Sequence, residues 1–321
     1  MRILVTGGTG FLGVPVCRTL IGGGDEVLAA LRPGSDPSRL PPGVLPALFD
    51  PASPGTLEGA LRGCDGVVHL AARTHRGDAA DPAALPLYRE TNVALTEALL
   101  RCAVRAGVRR FLFLSSIKAV GEGAGSPYDE SSPCAPEDAY GISKREAEEA
   151  VGAAQGLETV VLRIPLAYGP GVKGNFRRLL ETVTRGTPLP LGSIRNARSL
   201  VSSQNLAEAV RTCLLHPAAA GKTFHVADRE APSTPELVRA LAEALGVPPR
   251  LLPVPPALLL LAGILTGRRE SVRKLTSSLV VRTDRIREVL GWTPPHTLRE
   301  GLADTAAWWR ASASACGGPS S

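Results

Sequence analysis

The chain has 321 residues, enough for one large α/β domain or two unequal lobes around a full core. Hydrophobic residues make up 44% and charged residues 21%, the balance of a globular enzyme rather than of a disordered or fibrous chain. The net charge of +6 is spread along the sequence without a Lys/Arg run. That argues against nucleic acid as a partner and suits a small anionic ligand.

Ile3–Thr6 predicts a strand that starts directly behind Met1, which leaves no room for a signal peptide. It runs into Thr6-Gly7-Gly8-Thr9-Gly10-Phe11-Leu12-Gly13. Val14, Val16, Cys17 and Leu20 then carry a helical spacing. Gly7 takes the tight turn, Gly10 lets the main chain approach a pyrophosphate, and Gly13 lets the helix pack on the strand. The helix N-terminus offers free N–H groups and a positive dipole end to that anion. A dinucleotide site is the consequence.

Further strands are predicted over Glu26–Leu31, Gly66–Leu70, Arg110–Ser115 and Thr159–Arg163, with helices over Thr91–Ala106 and Tyr140–Ala154 between them. Alternation of apolar strands with helices predicts an α/β fold, a Rossmann-type doubly wound parallel sheet that binds ligands at its carboxyl edge. After Arg163, Pro and Gly become frequent, marking loops able to wrap a substrate. Lys222–Ala227 reads as another strand, and Pro235–Leu245 and Asp284–Leu290 as helices. The apolar run Ala257–Leu265 is too short to span a membrane. It is expected as a helix packed inside the second lobe, with a membrane-surface contact as the alternative. Residues 1–165, with 199–228 returning to them, are expected to bind the cofactor. Residues 166–198 and 229–311 would form the smaller C-terminal substrate-binding lobe, and 312–321 a flexible tail.

The six cysteines are scattered without CxxC spacing, as are the five histidines. Reduced thiols in a cytoplasmic protein are expected, with no metal site and no integral membrane segment.

Tyr140-Gly141-Ile142-Ser143-Lys144 puts a phenol and an ammonium four apart on one helix face. A free tyrosine, with a pKa near ~10, is a poor acid–base catalyst at neutral pH. A neighbouring lysine cation, joined by the positive charge of an oxidised nicotinamide, is expected to lower that value. Upstream, Phe111-Leu112-Phe113-Leu114-Ser115-Ser116 is an apolar strand ending in two hydroxyls.

A serine at that strand end, a YxxxK helix and a TGxxGxxG turn together resemble the short-chain dehydrogenase/reductase superfamily. Length and later motifs are similar to its extended branch, the NAD(P)-dependent sugar-nucleotide epimerases, dehydratases and reductases. The resemblance makes Tyr140 the acid–base residue and Lys144 the residue that holds the nicotinamide ribose. Ser116, five positions before Gly121, would hydrogen-bond the reacting oxygen. The family's dehydratases place Asp-Glu next, where this chain has Ile117-Lys118, so 4,6-dehydration is not expected.

The resemblance also implies a cofactor contact for Asp50, for Leu70, Ala71 and Ala72 after His69, and for Pro165, with Asn92 supporting the sheet. Gly7, Gly10, Phe11, Leu12 and Gly13 complete that surface. Asn175 beside Phe176 matches a substrate-contacting asparagine, and Arg198 an arginine that grips a diphosphate. Lys118 and Arg273 are further candidates for the substrate, although a solvated Arg273 is the plainer reading. At the end of the second strand Arg32 stands where an Asp or Glu would meet the ribose of NAD, which favours NADP over NAD.

Phe113–Lys118, Tyr140–Lys144, Gly169–Phe176 and Leu191–Val201 are similar to bacterial UDP-glucose 4-epimerase-like enzymes. That group includes 4-keto reductases forming UDP-N-acetylquinovosamine or its C4 epimer. The expectation is therefore hydride transfer at C4 of a nucleoside-diphosphate sugar, UDP-linked, in a homodimer. Net reduction is favoured. A 4-epimerase with retained NAD is the alternative, and a non-catalytic cofactor-binding scaffold or sensor a second one.

Overall fold

The computed structural model describes residues 1–50, 53–74, 78–123, 126–267 and 269–316. Its strands, in chain order, are β1 (Arg2–Thr6), β2 (Glu26–Leu31), β3 (Leu45–Leu48), β4 (Gly66–His69), β5 (Arg110–Ser116), β6 (Glu158–Ile164), β7 (Leu166–Tyr168), β8 (Leu200–Ser202) and β9 (Lys222–His225). Seven of them form a parallel sheet ordered β3-β2-β1-β4-β5-β6-β9, while β7 and β8 pair separately. Chain order reverses between β1 and β4, which opens a crevice at the carboxyl edge of the sheet.

Central strands are apolar on both faces because helices cover both. Ile3, Leu4 and Val5 of β1 and Phe111, Leu112 and Phe113 of β5 are fully buried. One face packs on α1 (Gly13–Gly22), the other on α2 (Pro54–Leu61). The short α3 (Leu85–Arg89) leads through a π turn into α4 (Leu95–Arg105), and α5 (Ala139–Ala153) follows β5. Leu99 and Ala103 of α4 and Ala147 and Val151 of α5 join the α2 side.

The remaining helices are α6 (Gly174–Thr184), α7 (Ser203–Leu215), α8 (Thr234–Leu245), α9 (Pro256–Leu265), α10 (Arg269–Thr276), α11 (Asp284–Leu290) and α12 (Leu298–Cys316). Leu206, Ala209 and Val210 of α7 return to the α1 side of the main sheet. Phe176 and Leu180 of α6, Leu237 and Leu241 of α8, and Leu302 and Ala306 of α12 close a second core around Tyr168.

Several elements depart from the sequence expectation. β4 stops at His69 rather than Leu70, and β9 at His225 rather than Ala227. β3, Leu45-Pro46-Ala47-Leu48, is not among the expected strands: its proline is tolerated because this is an edge strand, with Leu45 and Leu48 exposed. The expected helix 91–106 begins with a π turn over Glu90–Ala94, which inserts a residue into the helical repeat. The apolar run 257–265 is helical, but it is not internal: Leu258, Leu261, Ile264 and Leu265 are exposed and Gly263 is its buried residue. Residues 312–316 continue α12 rather than starting a tail, and 317–321 lie outside the described residues. Among the described residues no helix is long and apolar enough to cross a membrane, and no His/Cys/Asp/Glu cluster could hold a metal ion. Cys17, Cys64, Cys102, Cys134 and Cys213 are free thiols.

Candidate active site

The opening turn is built so tightly that only glycine fits. Gly7 has φ +74, and a Cβ there would lie 3.0 Å from the Ala71 nitrogen, just past β4. A Cβ on Gly13 would strike the Gly7 carbonyl and come within 2.7 Å of Gly8 Cα. The Gly10 N–H closes the turn on the Gly7 carbonyl at 2.9 Å. Leu12, at the N-cap of α1, supplies no side-chain cap. The helix N-terminus therefore presents backbone donors to whatever lies in the crevice, and these residues fit the diphosphate of a dinucleotide.

The other expected cofactor residues line the same edge of the sheet. Leu70, Ala71 and Ala72 follow β4, and the Ala71 N–H donates to Thr6 Oγ1 at 3.1 Å. Pro165 is buried between β6 and β7, and Phe11 packs against the second core. Asp50 is half-buried just beyond β3, its N–H donating to Thr56 Oγ1 at 2.9 Å. Arg32 is exposed immediately after β2.

Ser116 is the last residue of β5, and Tyr140 and Lys144 lie in the first turns of α5. Ser116 is close enough to the Tyr140 phenol to favour its charged form. Burial pushes that phenol up to about 12; Ser116 opposes the rise, while Asp138 and Tyr88 add to it. Lys144 by itself therefore does not lower the tyrosine. The physical reason is where the lysine points: its Nζ donates to the Leu114 carbonyl at 2.6 Å and sits 3.9 Å from the centre of the Phe113 ring. Burial in turn pulls Lys144 down to about 7, against the Glu148 carboxylate, which favours its charge.

Glu148 is itself fixed from two sides. Ser115 donates to Oε1 at 2.5 Å, and the Arg163 guanidinium of β6 grips both oxygens, with Nη2 2.7 Å from Oε2. The pair is buried on both sides and so couples strongly to its surroundings.

A buried polar string ties the cofactor turn to α5; the resemblance assigns Asn92 to supporting the sheet, but the string itself was not foreseen. Thr6 Oγ1 lies 2.7 Å from His69 Nδ1, and His69 Nε2 lies 2.9 Å from Thr96 Oγ1. Thr96 gives its hydrogen to the Asn92 carbonyl at 2.7 Å, so the histidine proton belongs on Nε2 and Thr6 donates to Nδ1. Burial, reinforced by the Lys144 charge, lowers His69 to about 3 and keeps the ring neutral. Asn92, in the π turn, donates to Ser143 Oγ at 2.9 Å and to the Arg73 carbonyl at 3.0 Å, and accepts from the Arg73 N–H at 2.7 Å. For Thr6, His69 and Thr96 the sequence signal was their polar type within apolar strands and helices.

The expected substrate residues divide. Arg198 is half-buried, donating through Nη1 to the carbonyls of Lys274 at 2.5 Å and Ser277 at 3.0 Å. Asn175 is exposed at the start of α6, with Phe176 buried behind it. Lys118 is engaged by two carboxylates, Glu122 at 2.6 Å and Asp138 at 2.5 Å. Arg273 is exposed and pairs with Glu137 at 3.0 Å.

A glycine-lined dinucleotide turn, a serine and a buried YxxxK pair on a seven-stranded parallel sheet define an enzyme of the extended short-chain dehydrogenase/reductase type. The NAD dependent epimerase/dehydratase family matches residues 3–227, and the chain belongs to that family. It is 43% identical over 311 residues to a UDP-glucose 4-epimerase of Vibrio cholerae, covering 95% of this chain and 94% of that protein. It is 27% identical to the N-acetyl-alpha-D-glucosaminyl-diphospho-ditrans,octacis-undecaprenol 4-epimerase of Escherichia coli O157:H7, over 95% of this chain and 94% of that one. Among solved structures it resembles a dTDP-glucose 4,6-dehydratase from Streptomyces venezuelae with NAD bound: TM-score 0.78, 27% identity, 98% of each chain. Its activity is NAD-dependent and of the sugar-nucleotide epimerase/dehydratase type.

Proposed function

We propose that this chain acts at C4 of a UDP-linked hexose and interconverts its C4 epimers through a 4-keto sugar. The observation that carries the reading is the placement of buried Ser116 at the end of β5 together with Tyr140 and buried Lys144 in the first turns of α5. The similarity to the Vibrio cholerae 4-epimerase supports the direction. The bound nicotinamide supplies the hydride chemistry. Tyr140 takes the C4 hydroxyl proton in the oxidative half and returns one in the reductive half. Ser116 would hydrogen-bond the same oxygen, and Lys144 would hold the ribose. Gly7, Gly10, Gly13, Leu70–Ala72 and Pro165 would bind the cofactor, Asp50 its adenine end, and Arg198 and Asn175 the substrate. In this reading residues 1–165 with 199–228 serve the cofactor and 166–198 with 229–311 the sugar nucleotide. Elimination of water is not part of it, because Ile117 and Lys118 stand where the chemistry needs carboxylates.

Net reduction of a 4-keto sugar by NADPH is the second reading, favoured by Arg32, whose exposed guanidinium follows β2 in place of a carboxylate. A homodimer belongs to either reading. The test is to incubate the purified protein with UDP-glucose, without added cofactor, and follow the C4 epimer by proton NMR. Epimer formation that Tyr140→Phe abolishes supports the first reading. Turnover only of a UDP-4-keto sugar, with one NADPH oxidised per product, supports the second.

A further inference from the structure

Lys118 is the residue on which two parts of the site meet. Its backbone N–H donates to Ser116 Oγ at 3.2 Å, and its ammonium donates to Asp138 Oδ2 at 2.5 Å. Asp138 is the N-cap of α5, accepting through Oδ1 from the Gly141 N–H at 2.7 Å. Gly141 has no room for a side chain, since a Cβ would collide with the Lys118 carbonyl. The first turn of the helix that carries Tyr140 is therefore pressed against residue 118 and tied to it through a carboxylate.

The ammonium also holds Glu122 at 2.6 Å, and Glu122 accepts from Lys274 Nζ on α10 at 3.1 Å. Asp138 and Glu122 are only 6% and 7% exposed, so solvent and salt screen this cluster weakly. Two cations alternate with two carboxylates, and no charge in the row is left uncompensated. Lys274 offers its own carbonyl to Arg198, the residue expected to grip the substrate diphosphate.

We propose that Lys118 is a positioning residue: it clamps the Asp138 cap that orients Tyr140, and through Glu122 it links that cap to Lys274 and Arg198 in the C-terminal lobe. It rests on the proposed C4 chemistry only for its catalytic consequence. Seating a diphosphate on Arg198 shifts the Lys274 end of the row, and the shift reaches the helix turn that aims the phenol. Lys118 itself touches neither sugar nor cofactor.

The experiment compares Lys118→Met, Lys118→Arg, Lys274→Met and the Lys118→Met/Lys274→Met pair. Two readouts are taken: hydrogen exchange at the Gly141 amide in the unliganded protein, and kcat and KM with UDP-glucose. Loss of a charge-assisted clamp is expected to speed Gly141 exchange and lower kcat by about tenfold in Lys118→Met, with KM changed less. Lys118→Arg is expected to restore most of both. The double variant is expected to lose less in kcat than the product of the single losses, as for members of one network. Wild-type exchange at Gly141 in a folded Lys118→Met would overturn the clamp, and so would a Lys118→Arg as impaired as Lys118→Met. Fully multiplicative losses in the double variant would overturn the link to α10. If the wild type turns over no sugar nucleotide, the functional reading fails, while the exchange measurement still decides the clamp.

Discussion

Lys144 and Glu148 stand one turn apart on α5, and the Glu148 carboxylate is the charge that opposes the strong downward pull of burial on the Lys144 ammonium. Glu148 keeps Ser115 and Arg163 as partners whatever happens to the lysine. Lys144 is thus a buried cation kept for its charge rather than for the fold. Lys144→Met is expected to relieve the cost of burying a charged ammonium and so to stabilise the unliganded protein near pH 6. It should also lower kcat by at least ~100-fold. The folded-state pKa of about 7 lies below the usual lysine value, so between these two values the unfolded chain holds the extra proton. Wild-type stability therefore rises across that window, and the advantage of Lys144→Met should shrink as pH increases from 7 towards 10. Thermal melts of both proteins at pH 6 and pH 9, with turnover of the same samples, check both signs.

Tyr140→Phe is expected to retain the fold and dinucleotide binding and to lose ~100- to 10,000-fold in kcat, the contribution of a positioned proton-transfer group. The phenol is raised to about 12 in the unliganded protein. The unfolded chain sheds this proton at lower pH than the native state does, so wild-type stability should fall as pH rises above 10. Tyr140→Phe removes that component of the alkaline decline. Parallel titrations of unfolding midpoint against pH reveal it as a flatter curve.

Asn92 sits at the centre of the string between cofactor turn and catalytic helix. Asn92→Leu removes partners from the Arg73 N–H and carbonyl and from Ser143 Oγ. Leaving such groups unpaired costs about 1–3 kcal/mol each when they are buried. A loss of at least ~2 kcal/mol is expected, together with weaker cofactor binding, because Arg73 continues the segment that begins at Leu70. Urea unfolding and a fluorescence titration with the dinucleotide measure the two effects separately.

How much of this was legible beforehand depends on whether a constraint is local. The turn around Gly7 and Gly13 was readable because backbone sterics alone demand glycine there. The strands around Leu4 and Leu112 were readable because full burial leaves an unbroken apolar run. The pairing of β7 with β8 was not, since each spans three residues and gains its meaning only from the partner. The π turn at Asn92 escaped because the hydrophobic repeat continues on either side of it. The direction of Lys144 escaped as well: YxxxK spacing puts the lysine on the tyrosine's face of the helix but does not choose between the phenol and the Leu114 carbonyl. Lys118 looked like a free cation for the substrate because Glu122 and Asp138 become its partners only once the chain has folded.

Arg32 provides a test of the cofactor that is independent of the sugar. Its side chain is exposed at the carboxyl end of β2, so its substitution should leave stability within about 0.5 kcal/mol of the wild type. A guanidinium there attracts a 2′-phosphate, whereas a carboxylate repels it and accepts from a 2′-hydroxyl instead. Arg32→Asp is therefore expected to weaken NADPH binding by about 10- to 100-fold, the worth of one charge-assisted contact plus the new repulsion. NADH binding should stay the same or tighten. Isothermal titration of both dinucleotides against wild type and variant resolves the difference. Equal affinities of the wild type for NADH and NADPH, unchanged in Arg32→Asp, would show that this guanidinium faces water and plays no part in cofactor choice.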